Sequence, residues 1–383
     1  MNEAKIRAGL EEAVASGGIA GAVVAVTSAE GPVLQVAVGR QSLNDPAPMV
    51  EDSVFWVASM TKAVTTVAAL QLVEQGRLSL EAPIGELLPD LNEPDLLEGF
   101  GADGRPLLRK ARTKLTLKHL LTHTSGFSYE FANAQLARYL KETGTPSAAT
   151  GLKAGLRQPL MFEPGSRWEY GIGIDWAGQA VEAASGMTLD AYFEAHVTGP
   201  LGMKDTVFQP GLRQAGRRAA MHQRQADGRL AVVPFEPQPA PEFLAGGAGL
   251  YSTAPDYLAF LRMILNGGGE LLRPETVAAM GTNQIGVLRA GQIGSVNPAL
   301  TAEADFYPGM DSKWGLGFLI NPEPGPLGRR ANSLTWAGLP NCYYWIDREL
   351  GIGALILTQV LPSGDLGALK AAAGFEFSLY ASL

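Results

Sequence analysis

The chain has 383 residues, is 46% hydrophobic and 18% charged, and carries a net charge of −8. That is a globular composition with ample core for one large or two medium domains, and it holds no basic block for nucleic acid or an anionic membrane. The single cysteine, Cys342, excludes an intrachain disulfide and a cysteine-based zinc cluster.

Residues 3–15 predict a helix, with Ile6, Leu10 and Val14 at fourfold spacing and Gly17-Gly18 ending it. The charged N-terminus lacks the apolar segment of a signal peptide, and no run spans a bilayer, so the expectation is a soluble cytoplasmic protein. Valine-rich runs at 19–27 and 32–38, separated by Ser28-Ala29-Glu30-Gly31, predict a β-hairpin. Pro46 and Pro48 mark a loop. Residues 55–64 (FWVASMTKAV) lead into a helix with a buried stripe of Met60, Val64, Val67, Ala68 and Leu72. Ser59, Lys62 and Thr66 share another face, and Gly76 closes the helix.

From 80 to 240, helical patterns alternate with loops rich in proline and glycine: 80–88, 116–122, 133–140, 149–158, 174–184 and 189–197. Residues 253–265 give another helix, with Pro255 in its first turn. The tail predicts strands at 314–320, 333–336, 342–347 and 352–358, then a final helix over 364–381. The expected fold is α+β: an antiparallel sheet flanked by N- and C-terminal helices, with an inserted, mostly helical lobe. The expected boundaries are 1–80 and 241–383 for the sheet lobe and 81–240 for the helical lobe, with the active site between them.

Ser59 and Lys62 carry the chemistry. Three residues apart on a helix, they lie on one face, so the amine can reach the hydroxyl. A serine hydroxyl becomes a good nucleophile when a neighbour takes its proton. Alone, a Ser-x-x-Lys string is equally a helix cap and a solvated lysine. The helix start adds a positive dipole end beside the serine. Tyr170, on the loop edge of EPGSRWEYGIGIDWAG, is the candidate for a further proton carrier. An acyl-enzyme also requires an oxyanion hole. The Ser59 amide can supply one donor, and a strand edge at Trp336-Ala337-Gly338-Leu339, with its glycine, the other.

At these three places the sequence resembles the serine β-lactamase and penicillin-binding protein superfamily, nearest to class C β-lactamases and family VIII carboxylesterases. Ser59-Met60-Thr61-Lys62 is similar to its Ser-x-x-Lys motif, Tyr170-Gly171-Ile172 to Tyr-x-Asn or Tyr-Ser-x, and Trp336-Ala337-Gly338 to Lys-Thr-Gly. LLTHTSGFSY (120–129), residues 246–268 and WGLGF (314–318) extend the likeness over most of the chain. The resemblance implies that Ser59 is acylated, that Lys62 and Tyr170 relay protons, and that the Ser59 and Leu339 amides form the oxyanion hole. It implies a substrate pocket including Trp336, Gly338, Ile172 and Tyr129. Ile172 and Trp336 stand where β-lactamases carry polar handles. An apolar pocket accepts neutral esters and rejects an unpaired carboxylate.

The expected activity is therefore a serine carboxylesterase acting on small, short-chain apolar esters, with no metal and no cofactor. The alternatives are an acyltransferase sharing the acyl-enzyme, a β-lactamase or D-amino-acid peptidase, and a non-catalytic binding or assembly module. His119 and His123 are four apart, but Leu120-Leu121-Thr122 between them lacks the glutamate of a metalloprotease helix, which favours a structural role. No serine has the G-x-S-x-G setting of an α/β-hydrolase.

Overall fold

The computed structural model describes residues 1–383. Its centre is an eight-stranded antiparallel sheet. The strands are β1 (Gly21–Ser28), β2 (Pro32–Ser42), β3 (Asp45–Pro48), β4 (Lys313–Trp314), β5 (Leu319–Ile320), β6 (Leu334–Gly338), β7 (Cys342–Asp347) and β8 (Ile352–Leu357), in spatial order β4-β5-β6-β7-β8-β1-β2-β3. The two ends of the chain meet at β1 and β8, where Val24 opposes Ile356 and Ala25 opposes Leu355. Both strands are almost wholly buried, which their unbroken apolar composition requires, because the sheet is covered on both faces.

Helices α1 (Glu3–Ala15) and α5 (Leu366–Tyr380) cover one face. Ile6, Leu10, Phe375 and Leu379 pack there against Val24, Val26, Ile356 and Trp345. The Asp365 side chain caps α5 by accepting from the amides of Gly367 and Ala368, and also pairs with Arg224. On the other face lie α2 (Thr61–Glu74) and α4 (Ala254–Leu265), against Val23, Ala25, Leu355 and Tyr344. Helix α2 differs from its expected stripe: every residue from Thr61 to Leu72 is buried. A helix surrounded by protein has no solvent face, so Lys62 is enclosed rather than solvated.

Residues 81–240 contribute no strand to the large sheet. The segment holds α3 (Gly173–Ser185), shorter helices such as Ala134–Thr143, and several 3₁₀ turns. It also holds a hairpin, Asp95–Phe100 with Pro106–Lys110, in a stretch where the sequence predicts only loops between helices. The helices expected over 80–88 and 149–158 are reduced to 3₁₀ turns at Ile84–Glu86, Ala148–Thr150 and Lys153–Leu156. Proline and glycine within those stretches limit their hydrogen-bond ladders to single turns. The loop at Pro46 and Pro48 is instead edge strand β3, where a missing N–H faces outward at no cost to the ladder. The single strand expected at 314–320 splits into β4 and β5 around a turn at Gly315–Gly317, with Gly317 at φ +84°.

The short β5 leaves an opening that matters for function. It pairs only with Leu334 and Thr335 of β6, so the edge from Trp336 to Gly338 has no neighbour on that side. No helix is long and apolar enough to cross a membrane.

Candidate active site

Ser59 sits in a single 3₁₀ turn, Ala58–Met60, that feeds directly into α2. Ala58 is held at φ +44°, a strained value for a residue with a Cβ. Three hydrogen bonds hold the turn in place. Thr61 Oγ1 donates to the Ala58 carbonyl at 2.6 Å and accepts from the Leu250 amide at 3.0 Å, while the Val57 amide donates to the Leu250 carbonyl at 3.0 Å. A backbone strained and braced in this way presents the Ser59 side chain to the cleft.

Lys62 lies one turn on. Its Nζ is 3.1 Å from Ser59 Oγ, 3.0 Å from the Tyr129 hydroxyl and 2.6 Å from the Gly247 carbonyl. It also sits over the Tyr170 ring, 4.7 Å from the centroid. A neutral amine in this position can donate to Gly247 and Tyr129 and keep its lone pair for the serine proton. The protonated amine can donate to all three.

Asp175, near the start of α3, is buried close by and accepts from the Gly247 amide at 2.9 Å. Gly247 thus meets a carboxylate at its N–H and the lysine at its carbonyl. Burial raises the Asp175 carboxyl above its usual range, against the lowering pull of Lys62. Burial, reinforced by Asp175, holds the Tyr129 phenol well above its usual range, so Tyr129 is a neutral hydrogen-bond partner.

The Tyr170 hydroxyl accepts from the Trp336 indole at 3.2 Å and makes no direct bond to Lys62 or Ser59. Its ring is fixed from behind by His123, at 4.8 Å between centroids. His123 Nδ1 accepts from the Gly171 amide at 3.4 Å. Burial, helped by Lys62, keeps the His123 imidazole well below its usual pKa and hence neutral. A Cβ on Gly171 would run into the Phe127 carbonyl, so only glycine lets Tyr170 lie this close to the Phe127–Tyr129 segment.

The free edge of β6 faces the serine turn. Neither the Ser59 amide nor the Leu339 amide donates to any protein acceptor. Two free amides beside a hydroxyl suit a developing oxyanion. The glycine expected to admit substrate has a further reason. A Cβ on Gly338 would collide with the Val57 carbonyl, so the glycine lets β6 approach the backbone that carries Ser59.

The cleft holds about 600 Å³ and its lining is mainly apolar. Tyr129, Trp336, Gly338 and Leu339 line it together with Ser59 and Tyr170. Trp336 reaches it only at an edge, because Phe306 stacks on it at 4.8 Å and Trp314 packs on it at 4.6 Å. Ile172 does not belong to the cleft. It is fully buried in the main core at the N-cap of α3, so it cannot meet substrate as expected. The apolar character of the cleft comes instead from residues such as Trp56, Phe131, Ile293 and Phe306. The sequence assigns no role to Asp175 or Phe306, offers Gly247 only as part of the 246–268 stretch, and suggests Tyr129 as a pocket aromatic without a polar role. Only the position of Asp175, within the helix that follows Tyr170, offered a signal.

A cleft-facing serine bonded to a buried lysine at the start of an enclosed helix, beside the free edge of an antiparallel sheet, marks the β-lactamase/transpeptidase-like class of fold. A family profile described as Beta-lactamase matches residues 6–377, and the chain belongs to that family. It is 35% identical to monacolin J acid methylbutanoyltransferase of Aspergillus terreus, over 90% of this chain and 86% of that protein. It is also 35% identical to lovastatin esterase of Penicillium rubens, over 94% of each chain. Simvastatin synthase of Aspergillus terreus, in a mutant form, superposes with a TM-score of 0.86 at 33% identity, covering 98% of this chain and 96% of the other.

Proposed function

We propose that the protein is a serine carboxylesterase working through an acyl-Ser59 intermediate on small apolar esters. The observation that carries this reading is the 3.1 Å approach of Lys62 Nζ to Ser59 Oγ at the floor of an apolar cleft. The family membership and an esterase relative support it.

The Ser59 hydroxyl gives its proton to Lys62 as Oγ bonds to the ester carbonyl carbon. The carbonyl oxygen gains charge between the Ser59 and Leu339 amides. Lys62 is now an ammonium, and the nearby Asp175 carboxylate offsets its buried charge. The carbon–oxygen bond to the alcohol breaks, and the departing alkoxide takes the proton from Lys62 through a tyrosine hydroxyl. Tyr170 is the expected carrier. Tyr129, with its hydroxyl 3.0 Å from the amine, is a second route. Water then attacks the acyl carbonyl, Lys62 takes its proton, and Ser59 leaves with that proton.

A second reading, acyl transfer, replaces that water by an alcohol. It is favoured by a cleft larger than a short ester fills and by a relative named as a methylbutanoyltransferase. The test is p-nitrophenyl acetate and butyrate turnover beside Ser59→Ala, with and without added alcohols. Turnover in water supports the esterase, and transester formation at the expense of acid supports the transferase. Full activity in Ser59→Ala overturns both.

A further inference from the structure

The Ser59 and Leu339 amides can hold one oxygen between them only if two backbone segments keep a fixed gap. One segment leads from Trp56 to the Ser59 turn. The other is the turn at 339–341 that joins β6 to β7. They are far apart in the chain and share no strand ladder. Both are tied instead to one buried dipeptide, Thr358-Gln359, just past the end of β8.

On the serine side, the Gln359 carboxamide serves Trp56 as a strand partner would. Its Oε1 accepts from the Trp56 amide at 3.2 Å, and its Nε2 donates to the Trp56 carbonyl at 3.0 Å. Nε2 also donates to the Thr358 carbonyl at 2.6 Å. Oxygen and nitrogen of this side chain are thus both bonded, as burial of an amide requires. Trp56 is followed by Val57, the strained Ala58, and then Ser59. On the other side, Thr358 Oγ1 lies 2.8 Å from the Pro340 carbonyl oxygen and 3.0 Å from that of Asn341, and donates between them. Pro340 directly follows Leu339. The Val360 amide adds a bond to the Pro340 carbonyl at 3.2 Å, and Asn341 Nδ2 donates to the Val360 carbonyl at 2.8 Å. The Cys342 thiol donates to the Thr358 carbonyl at 3.1 Å.

Neither Thr358 nor Gln359 lines the cleft, so neither meets substrate. The bonds to Leu250 hold the serine turn from the helical side and do not reach β6. Thr358-Gln359 holds that segment and the turn after Leu339 together. We propose that Thr358 and Gln359 are positioning residues that set the separation of the Ser59 and Leu339 amides. This rests on the proposed acyl-enzyme function and adds to it the element that sizes its oxyanion hole.

Three variants test the clamp. Gln359→Leu removes both bonds to Trp56 at similar volume. Thr358→Val removes the hydroxyl and keeps the shape, and Thr358→Ser keeps the hydroxyl. Wild type and variants are assayed for kcat and KM on p-nitrophenyl acetate, well below the melting transition of each. The expected result is a fall in kcat of about tenfold or more in Gln359→Leu and Thr358→Val, with KM within about threefold and Thr358→Ser close to wild type. A smaller fall in either folded variant, a loss carried mainly by KM, or a Thr358→Ser as slow as Thr358→Val overturns the proposal. If Gln359→Leu does not fold, the Thr358 pair decides. Crystal structures of wild type and Thr358→Val give a readout independent of turnover. Ser59 and Leu339 amide nitrogens farther apart in the variant by about 0.5 Å or more support the clamp, and an unchanged separation overturns it. Failure of wild type on p-nitrophenyl acetate is a failure of the esterase reading alone.

Discussion

Gly338→Ala adds one methyl group, and the structure shows where it would go. The new Cβ would overlap the Val57 carbonyl oxygen, lie 3.1 Å from the Val57 carbonyl carbon and 3.3 Å from Cys342 Cβ. Carbon pairs rest at roughly 3.5–4.0 Å, and the overlap with the oxygen is tighter still, so β6 and the Val57 backbone must separate by about 1 Å. Val57 leads through strained Ala58 to the Ser59 amide, and Gly338 leads directly to the Leu339 amide. The separation therefore opens the gap between the two proposed oxyanion donors. Misplacement by about 1 Å costs about 10²-fold, and loss of one donor costs about 10²–10³ in kcat. Overpacking alone removes about 1–3 kcal/mol of stability, which leaves the chain folded. The assay is kcat on p-nitrophenyl acetate alongside thermal melting. A folded Gly338→Ala with kcat within about threefold of wild type would refute the argument, because the added methyl would then be absorbed without moving the amides.

Lys62→Met keeps the buried volume but removes the proton acceptor, and acylation should fall by at least about 10³-fold, measured as the p-nitrophenol burst. Tyr129→Phe and Tyr170→Phe separate the two proton routes: the larger fall in kcat identifies the main carrier, and the expected order is Tyr170 above Tyr129. Asp175→Asn removes the charge that faces Lys62 while leaving an acceptor for the Gly247 amide. It should lower kcat about tenfold or more and shift the pH–rate profile, with melting little changed. Asp365 tests the fold away from the cleft. Burial raises its pKa, but Arg224 and the amides it caps outweigh burial and hold it below the ordinary carboxylate range. A depressed folded pKa gives stability that is present above the unfolded value near 3.9 and lost as pH falls through the folded value. Asp365→Asn should therefore melt lower than wild type at pH 7, with the gap closing toward pH 3, as calorimetry would show.

Local patterns carried much of the fold. Residues 3–15 and 342–347 form the expected helix and strand because apolar spacing and the flanking turns act within a few residues. The antiparallel sheet closed by both termini followed from strand patterns at both ends of the chain. The hairpin over 95–110 stayed hidden because its charged residues blurred the twofold alternation. At the site, spacing alone brought Ser59 and Lys62 together. What sequence could not supply were contacts across the fold. Tyr129 meets Lys62 from 67 residues away, and Gly247 from 185. Ile172 is expected in the pocket from its place in the Tyr170 motif, yet two residues along the chain the backbone turns its side chain into the core. The free edge of β6 depends on where β5 ends, which no local pattern specifies.

The central claim is that Ser59 carries the acyl group. Its most direct test is intact-protein and peptide mass spectrometry after rapid quenching with p-nitrophenyl butyrate. The account predicts one butyryl group per chain, on the peptide containing Ser59, absent in Ser59→Ala and persistent in variants slowed in deacylation. A butyryl group on another residue, or continued ester turnover by Ser59→Ala with no adduct, would contradict it.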